Sequence, residues 1–323
     1  MFKPADMKLW QGRIDSEEST PSPRWHQVIN AAEEINPQES IALLGFCCDE
    51  GVARNKGRRG AKDGPKAIRT ALANQAFVLT QAVIDAGDVI CDNEDLEKAQ
   101  QELGQKIAEL LNSNHFPVIM GGGHEMAWGS YNGIESYLKS NDLNSANIGI
   151  INFDAHLDLR TSSSITSSGT PFRQISEHRE NNKQTFHYCV IGMNPTANTA
   201  GLIAYAKEKN VLCIDDIECT EANIPTINNS LKSFIENLDY LYITLCLDVF
   251  PASFAPGVSA PAALGIDPVV AIKLIHSIKH YANNAGVKIL MADIAEMSPP
   301  YDRDNVTAKL AARLIHELCL PLD

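Results

Sequence analysis

Short apolar runs alternate with longer segments of helical periodicity along most of this chain. The apolar runs predict seven strands, at residues 41–45, 118–120, 148–153, 188–191, 211–214, 241–247 and 289–293, with a weaker strand signal over 82–89. The periodic segments predict seven helices, at residues 65–72, 96–111, 125–138, 202–209, 227–238, 268–281 and 307–318. This alternation predicts an α/β fold with a mainly parallel sheet and helices packed on it.

The sequence favours a single domain over two separate ones. The chain has no internal repeat and no linker rich in glycine and serine, so we predict a single α/β domain over residues 39–323. Residues 1–38 are polar and contain Pro21 and Pro23. We predict that they form an N-terminal surface segment before the first strand of the domain.

The most informative polar pattern begins where the apolar run 148–153 ends. Asp154, His156 and Asp158 follow at every second position. Side chains two positions apart on extended backbone share a face, so we expect these three to converge. Two carboxylates and an imidazole form a mixed oxygen and nitrogen site suited to Mn²⁺ or a similar divalent ion. A surface strand is the alternative, but an uninterrupted apolar run does not normally precede one.

Three other predicted strands run directly into polar residues that can bind a metal or a substrate. These residues are His124 after a run of glycines, Cys246 with Asp248, and Glu296. Ligands of open α/β sheets gather at the carboxyl ends of the strands, where all of these residues lie. Taken alone, His124 is equally well explained as a capping or packed histidine. The glycine turn alone also suits a phosphate, although it lacks the lysine of a P-loop.

Composition narrows the classes of partner. The formal net charge of −13 argues against nucleic acid. The one dense cationic stretch, residues 54–69, is interrupted by glycines and predicts an ordered loop and a helix start. No apolar run has the length to span a membrane, and the first residues lack the apolar core of a secretion signal. Eight scattered cysteines predict a reducing cytoplasm, and a small molecule is the expected partner.

The sequence resembles the ureohydrolases, the family of arginase, agmatinase and formimidoylglutamase. The resemblance covers nearly the whole chain after the N-terminal segment. It rests on Asn55-Lys-Gly-Arg-Arg-Gly60-Ala61 with Gly64-Pro65, Gly121-Gly-Gly-His124, Asp154-Ala-His-Leu-Asp158, Leu247-Asp248, Ala255-Pro-Gly257 and Glu296, in that order. It implies a three-layer α/β/α fold whose parallel sheet has about eight strands, with two manganese ions at the sheet edge.

The resemblance also implies a role for each residue at the strand ends. His124 and Asp158 would hold one ion, His156 and Asp248 would hold the other, and Asp154 would bridge the two.

Two residues would act on the substrate. Glu296 matches the family carboxylate that pairs with an amidine or guanidine cation. Asp158 is a candidate proton donor, because no histidine between His156 and His178 corresponds to the histidine thought to shuttle protons in arginase. A metal-bound water is the alternative donor.

Within the family, the sequence is most similar to the formimidoylglutamases, through Arg160, the loop-like segment 167–173, and residues 258–261. Formimidoylglutamate carries a cationic formimidoyl group and a pair of carboxylates, which guanidinium groups can bind bidentately. Arg160 and Arg173 are the candidates for this binding, and pairing with a protein carboxylate is the alternative for each. Asn198 resembles a family loop near the substrate, although a plain turn explains it equally well.

Cys246 departs from the family pattern, which has at this position an aspartate that bridges both ions. A thiolate is a softer ligand, better suited to Zn²⁺ or Fe²⁺ than to Mn²⁺. Three interpretations stay open: Cys246 ligates as a thiolate, the site holds one ion or binds the second weakly, or the thiol packs inertly. We therefore expect metal binding, with two Mn²⁺ ions from the family pattern and one ion as the alternative.

Together these features predict a cytoplasmic hydrolase of histidine breakdown that converts N-formimidoyl-L-glutamate and water to L-glutamate and formamide. An agmatinase or another guanidino-acid hydrolase is the first alternative. The second is a ureohydrolase-like binding protein whose metal site is impaired by Cys246. Family members are commonly oligomeric, so a homo-oligomer is an open alternative to a monomer.

Overall fold

Eight parallel strands make up the body of the sheet in this computed structural model, which describes residues 1–16, 23–32, 39–163 and 165–321. Their order in the sheet is β4 (Ala82–Ile90), β3 (Ser40–Cys47), β5 (Phe116–Met120), β10 (Lys288–Ala295), β9 (Tyr240–Cys246), β6 (Ile148–Phe153), β7 (His187–Met193) and β8 (Leu212–Asp215). The expected parallel sheet is confirmed, and the weak signal over 82–89 is one continuous strand. Two short strands, β1 (Phe2–Lys3) and β2 (Asn30–Ala31), also pair with β4.

Helices cover both faces of this sheet. One layer contains α3 (Gly64–Ala73), α8 (Ile224–Ile235), α9 (Pro268–Ala285) and α10 (Val306–Cys319). The other contains α4 (Leu96–Asn112), α5 (Met126–Ser140), α6 (Pro171–Asn181) and α7 (Ala200–Glu208). Two short helices, α1 (Trp25–Val28) and α2 (Glu50–Arg54), precede α3. The expected three-layer α/β/α architecture is therefore confirmed.

The sheet separates two hydrophobic cores. Consecutive residues of β3 show the division, because Leu43 packs in one core and Leu44 in the other. Strands that are buried on both faces carry nearly continuous apolar runs. This burial explains why the apolar runs of the sequence located the strands of the parallel sheet.

The segment 167–173 does not lie wholly in the expected loop. Helix α6 begins at Pro171 and includes Arg173. Proline suits the first helical turn, because its φ is already helical and it needs no hydrogen-bond acceptor there. Most residues of α6 are polar, and its buried apolar side chains are few, so the helical period is weak in the sequence.

The N-terminal segment contributes to the interior as well as to the surface. Trp10 and Trp25 are buried, and the indole N–H of Trp10 donates to Asp85 Oδ2 at 2.7 Å. Residues 17–22 and 33–38 of the expected surface segment lie outside the described residues. A domain boundary at residue 38 stays a prediction.

All cysteines of the chain lie in the described ranges, and all eight are free thiols. Among the helices that the structure describes, none combines the length and the apolar character that crossing a bilayer would require. The cationic stretch 54–69 forms the end of α2, a turn and the start of α3, as expected.

Candidate metal centre and active site

Four neighbouring strands of the sheet, β5, β10, β9 and β6, end at one cavity. His124 follows β5, Glu296 follows β10, Cys246 ends β9 and Asp154 follows β6. Since the strands are parallel, these carboxyl ends meet at the same edge of the sheet. The cavity beside them has a volume of about 350 Å³.

The glycine turn that ends in His124 passes very close to the backbone of other strands. The N–H of Gly123 donates to Cys48 O at 3.0 Å, and the carbonyl of Gly122 accepts from Glu296 N at 2.8 Å. A β-carbon on Gly122 would lie 1.9 Å from Cys48 O, so only glycine fits. This close approach holds His124 beside the end of β10.

One group of potential metal ligands surrounds the imidazole of His124. Its Nδ1 atom lies 2.9 Å from Asp154 Oδ2 and 3.1 Å from Asp158 Oδ2. Ligand atoms of His124, Asp154 and Cys246 all lie within 4.8 Å of one another. One divalent ion could contact this set of nitrogen, sulfur and oxygen atoms.

A second group shares Asp154 with the first. The Nδ1 atom of His156 lies 3.5 Å from Asp154 Oδ1 and 3.2 Å from Asp248 Oδ2. Ligand atoms of these three residues also lie within 4.8 Å of one another. The Oδ2 atom of Asp154 thus faces His124 while its Oδ1 atom faces His156, which is the arrangement that a bridging carboxylate needs.

The hydrogen bonding of these residues fits a bound cation. Two of their buried atoms, His124 Nδ1 and Asp248 Oδ1, have no hydrogen-bond partner among the described residues. The other ring nitrogen of His124, Nε2, lies 3.0 Å from Thr244 Oγ1. We assign the ring proton to Nε2, because metal-bound histidines usually donate their second N–H to a nearby oxygen. The Nδ1 lone pair then faces carboxylates, an arrangement that a cation between them stabilises.

The carboxylates dominate the electrostatics of the site. Burial alone would lower the pKa of His124, but Asp154 and Asp158 raise it well above its ordinary value. The charge of Asp248 outweighs burial and raises the pKa of His156 to about 12. Burial and the charge of Asp154 raise the pKa of Asp158 to about 6. This excess of negative charge attracts protons or a divalent cation.

Cys246 lies within the ligand group of His124 and is buried. Burial raises the pKa of its thiol well above the usual range, and the charges of Asp154 and Asp248 add to this shift. A metal ion beside a thiol favours the thiolate, so the charge on Cys246 depends on whether a cation binds there. Ligation by Cys246 stays a prediction.

Glu296 lines the cavity beside the turn of His124. Its Oε1 atom accepts a hydrogen bond from His124 N at 3.0 Å. Burial, with the charges of Glu125 and Asp248, raises the pKa of Glu296 well above its usual range. A neighbouring cation stabilises the charged form, which suits contact with a cationic substrate group. Glu296 and Asp158 both have positive φ, at 70° and 47°, a strain that concentrates at functional sites.

Buried amides hold the turn that carries the ligands after β6. The side chain of Asn152 donates to Asp154 Oδ2 at 3.1 Å. Asn198 Oδ1 accepts from Leu157 N at 2.9 Å, and its Nδ2 donates to Ala155 O at 3.0 Å. Asn198 also lines the cavity, and both ends of its amide are engaged by the ligand turn. Substrate binding by Asn198 stays a prediction.

The two arginines expected at the substrate lie in different places. Arg160 lines the cavity, and its side chain has no hydrogen bond or ion pair with the described residues. Arg173 lies on α6 and is not among the residues that line the cavity. It pairs with Glu177 at 2.5 Å, and its guanidinium stacks 3.6 Å from the centre of the Tyr205 ring. Arg173 therefore pairs with a protein carboxylate, which was the alternative to substrate binding. Substrate binding by Arg160 stays a prediction.

Several residues line the cavity that the sequence patterns had not assigned to it: Asn55, Lys56, Arg58, Ser168 and Ser259. The first three belong to a motif that is visible in the sequence, but their function depends on contacts far along the chain. The guanidinium of Arg58, for example, donates to Ser259 O at 2.9 Å across 201 positions. No local spacing signals such a contact.

The fold and the site define a metal-dependent hydrolase, and the chain belongs to the arginase family, whose model matches residues 39–320. It is a hydrolase acting on C–N bonds of linear amidines. Among curated relatives, a formimidoylglutamase of Aliivibrio fischeri is 46% identical over 96% of this chain and 93% of that protein. A formimidoylglutamase of Aeromonas salmonicida is 44% identical over 98% of both proteins.

Solved structures share the same fold. An arginase from Bacillus subtilis superposes with a TM-score of 0.72 at 25% identity, covering 87% of this chain and 98% of that one. A Trypanosoma cruzi formiminoglutamase with Mn²⁺ superposes with a TM-score of 0.76 at 24% identity, covering 93% of this chain and 98% of that one. The latter similarity concerns the fold alone.

Proposed function

We propose that this protein hydrolyses N-formimidoyl-L-glutamate to L-glutamate and formamide, a step of histidine breakdown. Its similarity over nearly the full chain to proteins named formimidoylglutamase supports this substrate. The site supports it independently, through the charges that the cavity combines.

The observation that carries the proposal is the presence of both signs of charge in one cavity. Carboxylates of Asp158, Asp248 and Glu296 line it together with the guanidinium of Arg160, which pairs with no carboxylate in the described part of the chain. N-formimidoyl-L-glutamate has the complementary charges, a formimidoyl cation and a pair of carboxylates. Agmatine has no carboxylate, and it would leave Arg160 unpaired.

We propose that the two ligand groups hold two Mn²⁺ ions. The residues that would bind one ion are His124, Asp154, Asp158 and Cys246, and those for the other are Asp154, His156 and Asp248. Nδ1 of His124 and Oδ1 of Asp248 have no hydrogen-bond partner among the described residues, which supports an ion in each of the two ligand groups. A single ion with an inert Cys246 is the alternative. A bound divalent ion supplies Lewis acidity, which lowers the pKa of water and polarises the substrate.

The side chains of this protein bind and orient the substrate. Glu296 pairs with the formimidoyl cation, and Arg160 binds a carboxylate, so that the reacting carbon is held over the ligand groups. The oxygen of water adds to that carbon, and the bond from carbon to the glutamate nitrogen then breaks. The departing nitrogen takes a proton, for which Asp158 is the candidate carrier.

The test is the release of glutamate and formamide from N-formimidoyl-L-glutamate by protein loaded with Mn²⁺, with chelated protein as the blank. Glu296→Gln keeps the size of the side chain and removes its charge, so we expect kcat/KM to fall by about 100-fold or more. Urea release from agmatine at a higher kcat/KM would favour the agmatinase alternative. Folded, metal-loaded protein without any turnover would favour the non-catalytic alternative.

We further propose that the enzyme works in the cytoplasm, because a reducing compartment suits its eight free thiols. A homo-oligomer stays an expectation, which sedimentation equilibrium of the metal-loaded protein tests.

A further inference from the structure

We infer that Lys56 binds the side-chain carboxylate of the dicarboxylate substrate, and that Lys56 and Arg160 together select for two carboxylates. This inference rests on the proposed function and supplies the second cation of the substrate site, since Arg173 lies elsewhere.

Lys56 is a cavity-lining cation without a polar partner among the described residues. Its side chain is exposed and makes no hydrogen bond or ion pair with any described residue. Neighbouring arginines of the same segment are paired: Arg54 lies 2.6 Å from Glu97, and Arg59 lies 2.7 Å from Glu50. Lys56 therefore differs from its neighbours in facing the cavity with its charge unbalanced.

Lys56 and Arg160 belong to the same wall of the cavity. Arg160 N donates to Gly169 O at 2.9 Å, and the amide of Asn55 donates to Ser168 Oγ at 3.2 Å. A β-carbon on Gly169 would lie 2.9 Å from Arg160 Cδ and 3.2 Å from Asn55 Nδ2. The stem of Arg160 and the residue that precedes Lys56 thus meet at one turn.

Arg58 adds positive charge to this wall but is held in place by the protein. Its guanidinium donates to Val258 O at 2.8 Å and to Ser259 O at 2.9 Å. It also lies 3.9 Å from the centre of the Tyr301 ring. Arg58 therefore strengthens the local attraction for anions, while the side chain of Lys56 is free to contact the substrate.

The backbone of Lys56 is fixed by the end of α2. Lys56 has a φ of 62°, in the left-handed region. Its N–H donates to Ala53 O at 2.9 Å, and Gly57 N donates to Val52 O at 2.8 Å, a pattern that commonly ends helices. This cap uses only backbone groups, so the side chain of Lys56 is available to a ligand.

The course of the segment indicates which carboxylate Lys56 meets. Gly51 and Val52 are buried. The N–H of Gly51 donates at 2.9 Å to Oε1 of Glu125, the residue that follows His124 in the chain. The chain becomes exposed by Lys56, and Arg160 is exposed as well. Arg160 stands only two residues after the candidate ligand Asp158, so it suits the carboxylate nearer the reacting carbon. Lys56 then meets the more distant side-chain carboxylate.

The experiment compares two substrates in two forms of the enzyme. N-formimidoyl-L-glutamine has the shape of N-formimidoyl-L-glutamate, with a neutral amide in place of the side-chain carboxylate. We expect Lys56→Gln to raise KM for the glutamate substrate by about 10- to 100-fold, with kcat changed by less than about threefold. With the glutamine analogue, Lys56→Gln and wild type should differ by less than about twofold, because the paired carboxylate is already absent.

Two further variants separate this role from a structural one. Lys62→Gln removes an exposed lysine of the same segment that does not line the cavity, and it should behave like wild type. Lys56→Gly suits the left-handed backbone, so it should fold at least as well as wild type and still show the raised KM.

Binding of the product provides a readout that does not need turnover. We expect calorimetry on Mn²⁺-loaded protein to show that Lys56→Gln lowers the affinity for L-glutamate by about 10-fold or more. The affinity for L-glutamine should be unchanged. If the enzyme fails to hydrolyse N-formimidoyl-L-glutamate, this measurement still tests the lysine. The inference would be overturned if Lys56→Gln affected the glutamate and glutamine forms of the substrate, or of the product, equally. It would also be overturned if the substitution affected neither form. Sensitivity confined to the α-carboxylate, seen as loss of the effect with N-formimidoyl-4-aminobutyrate, would overturn it as well.

Discussion

The Nε2 atom of His124 lies 3.0 Å from the Oγ1 atom of Thr244, and both residues are buried. This contact orients the imidazole so that Nδ1 faces the carboxylates of Asp154 and Asp158. Thr244 belongs to β9, two positions before Cys246, so the strand that ends at the candidate metal centre also positions its first histidine. The ligand geometry of His124 therefore depends on a residue that does not line the cavity.

Thr244→Val should weaken metal binding. Valine keeps the shape of threonine but cannot accept the Nε2–H of His124, so the ring loses its fixed orientation. We expect Mn²⁺ affinity, measured by competition with a chelator, to fall by about 10- to 100-fold. Thr244→Ser keeps the hydroxyl and should stay close to wild type. Unchanged affinity in the valine variant would show that this contact does not position His124.

Asp154→Asn should release both metal ions, whereas Asp248→Asn should release one. The two oxygens of Asp154 face His124 and His156 separately, whereas Asp248 is a candidate ligand in the group of His156. Metal content of desalted protein, measured by mass spectrometry, distinguishes these outcomes. An Asp154→Asn protein that keeps one tightly bound ion would contradict a shared role for this carboxylate.

Cys246→Asp should make stability more dependent on metal. The side chain is buried among Asp154, Asp248 and Glu296, so another carboxylate should destabilise the metal-free protein by about 1–3 kcal/mol or more. A bound Mn²⁺ ion would offset this cost, because oxygen suits Mn²⁺ better than sulfur does. Thermal melting with and without Mn²⁺ should show a larger metal-induced rise in Tm than in wild type. Cys246→Ser is the neutral control, and an unchanged rise in Cys246→Asp would argue that residue 246 does not contact the metal.

His316 should make the protein less stable in acid. Burial lowers the pKa of His316, whose Nδ1 atom is buried without a hydrogen-bond partner among the described residues. A lowered folded-state pKa means that the unfolded chain takes up the proton first, so stability is lost as the pH falls below about 6.5. With chelator present, the Tm of His316→Gln should therefore fall less than the Tm of wild type when the pH is lowered from about 7.5 to 5.5.

The exposed His280 on α9 provides the matched control for this prediction. The Tm of His280→Gln should fall by as much as that of wild type over the same pH range. If His316→Gln follows the wild-type curve, protonation of His316 does not contribute to acid sensitivity.

Local patterns located most of the elements and the ligands. The strands of the parallel sheet are buried on both faces, so they appear as apolar runs, and His124, Asp154 and Asp248 stand where such runs end. Helix α6 was missed because its polar surface and few buried residues leave little periodicity. Arg173 was consequently expected in a loop at the substrate, whereas the helix directs it to Glu177 and Tyr205.

The sequence by itself determined the α/β architecture and the order of the candidate ligands along the chain, because alternation and strand-end position are properties of neighbouring residues. Only the tertiary structure decided which distant groups meet. The strands at the site lie in the order β5, β10, β9 and β6, which is not their order in the chain. This packing places Lys56 and Arg160 on one wall of the cavity, and it brings Arg58 to Ser259. Such contacts depend on how buried surfaces pack across the whole sheet, and no local spacing encodes them.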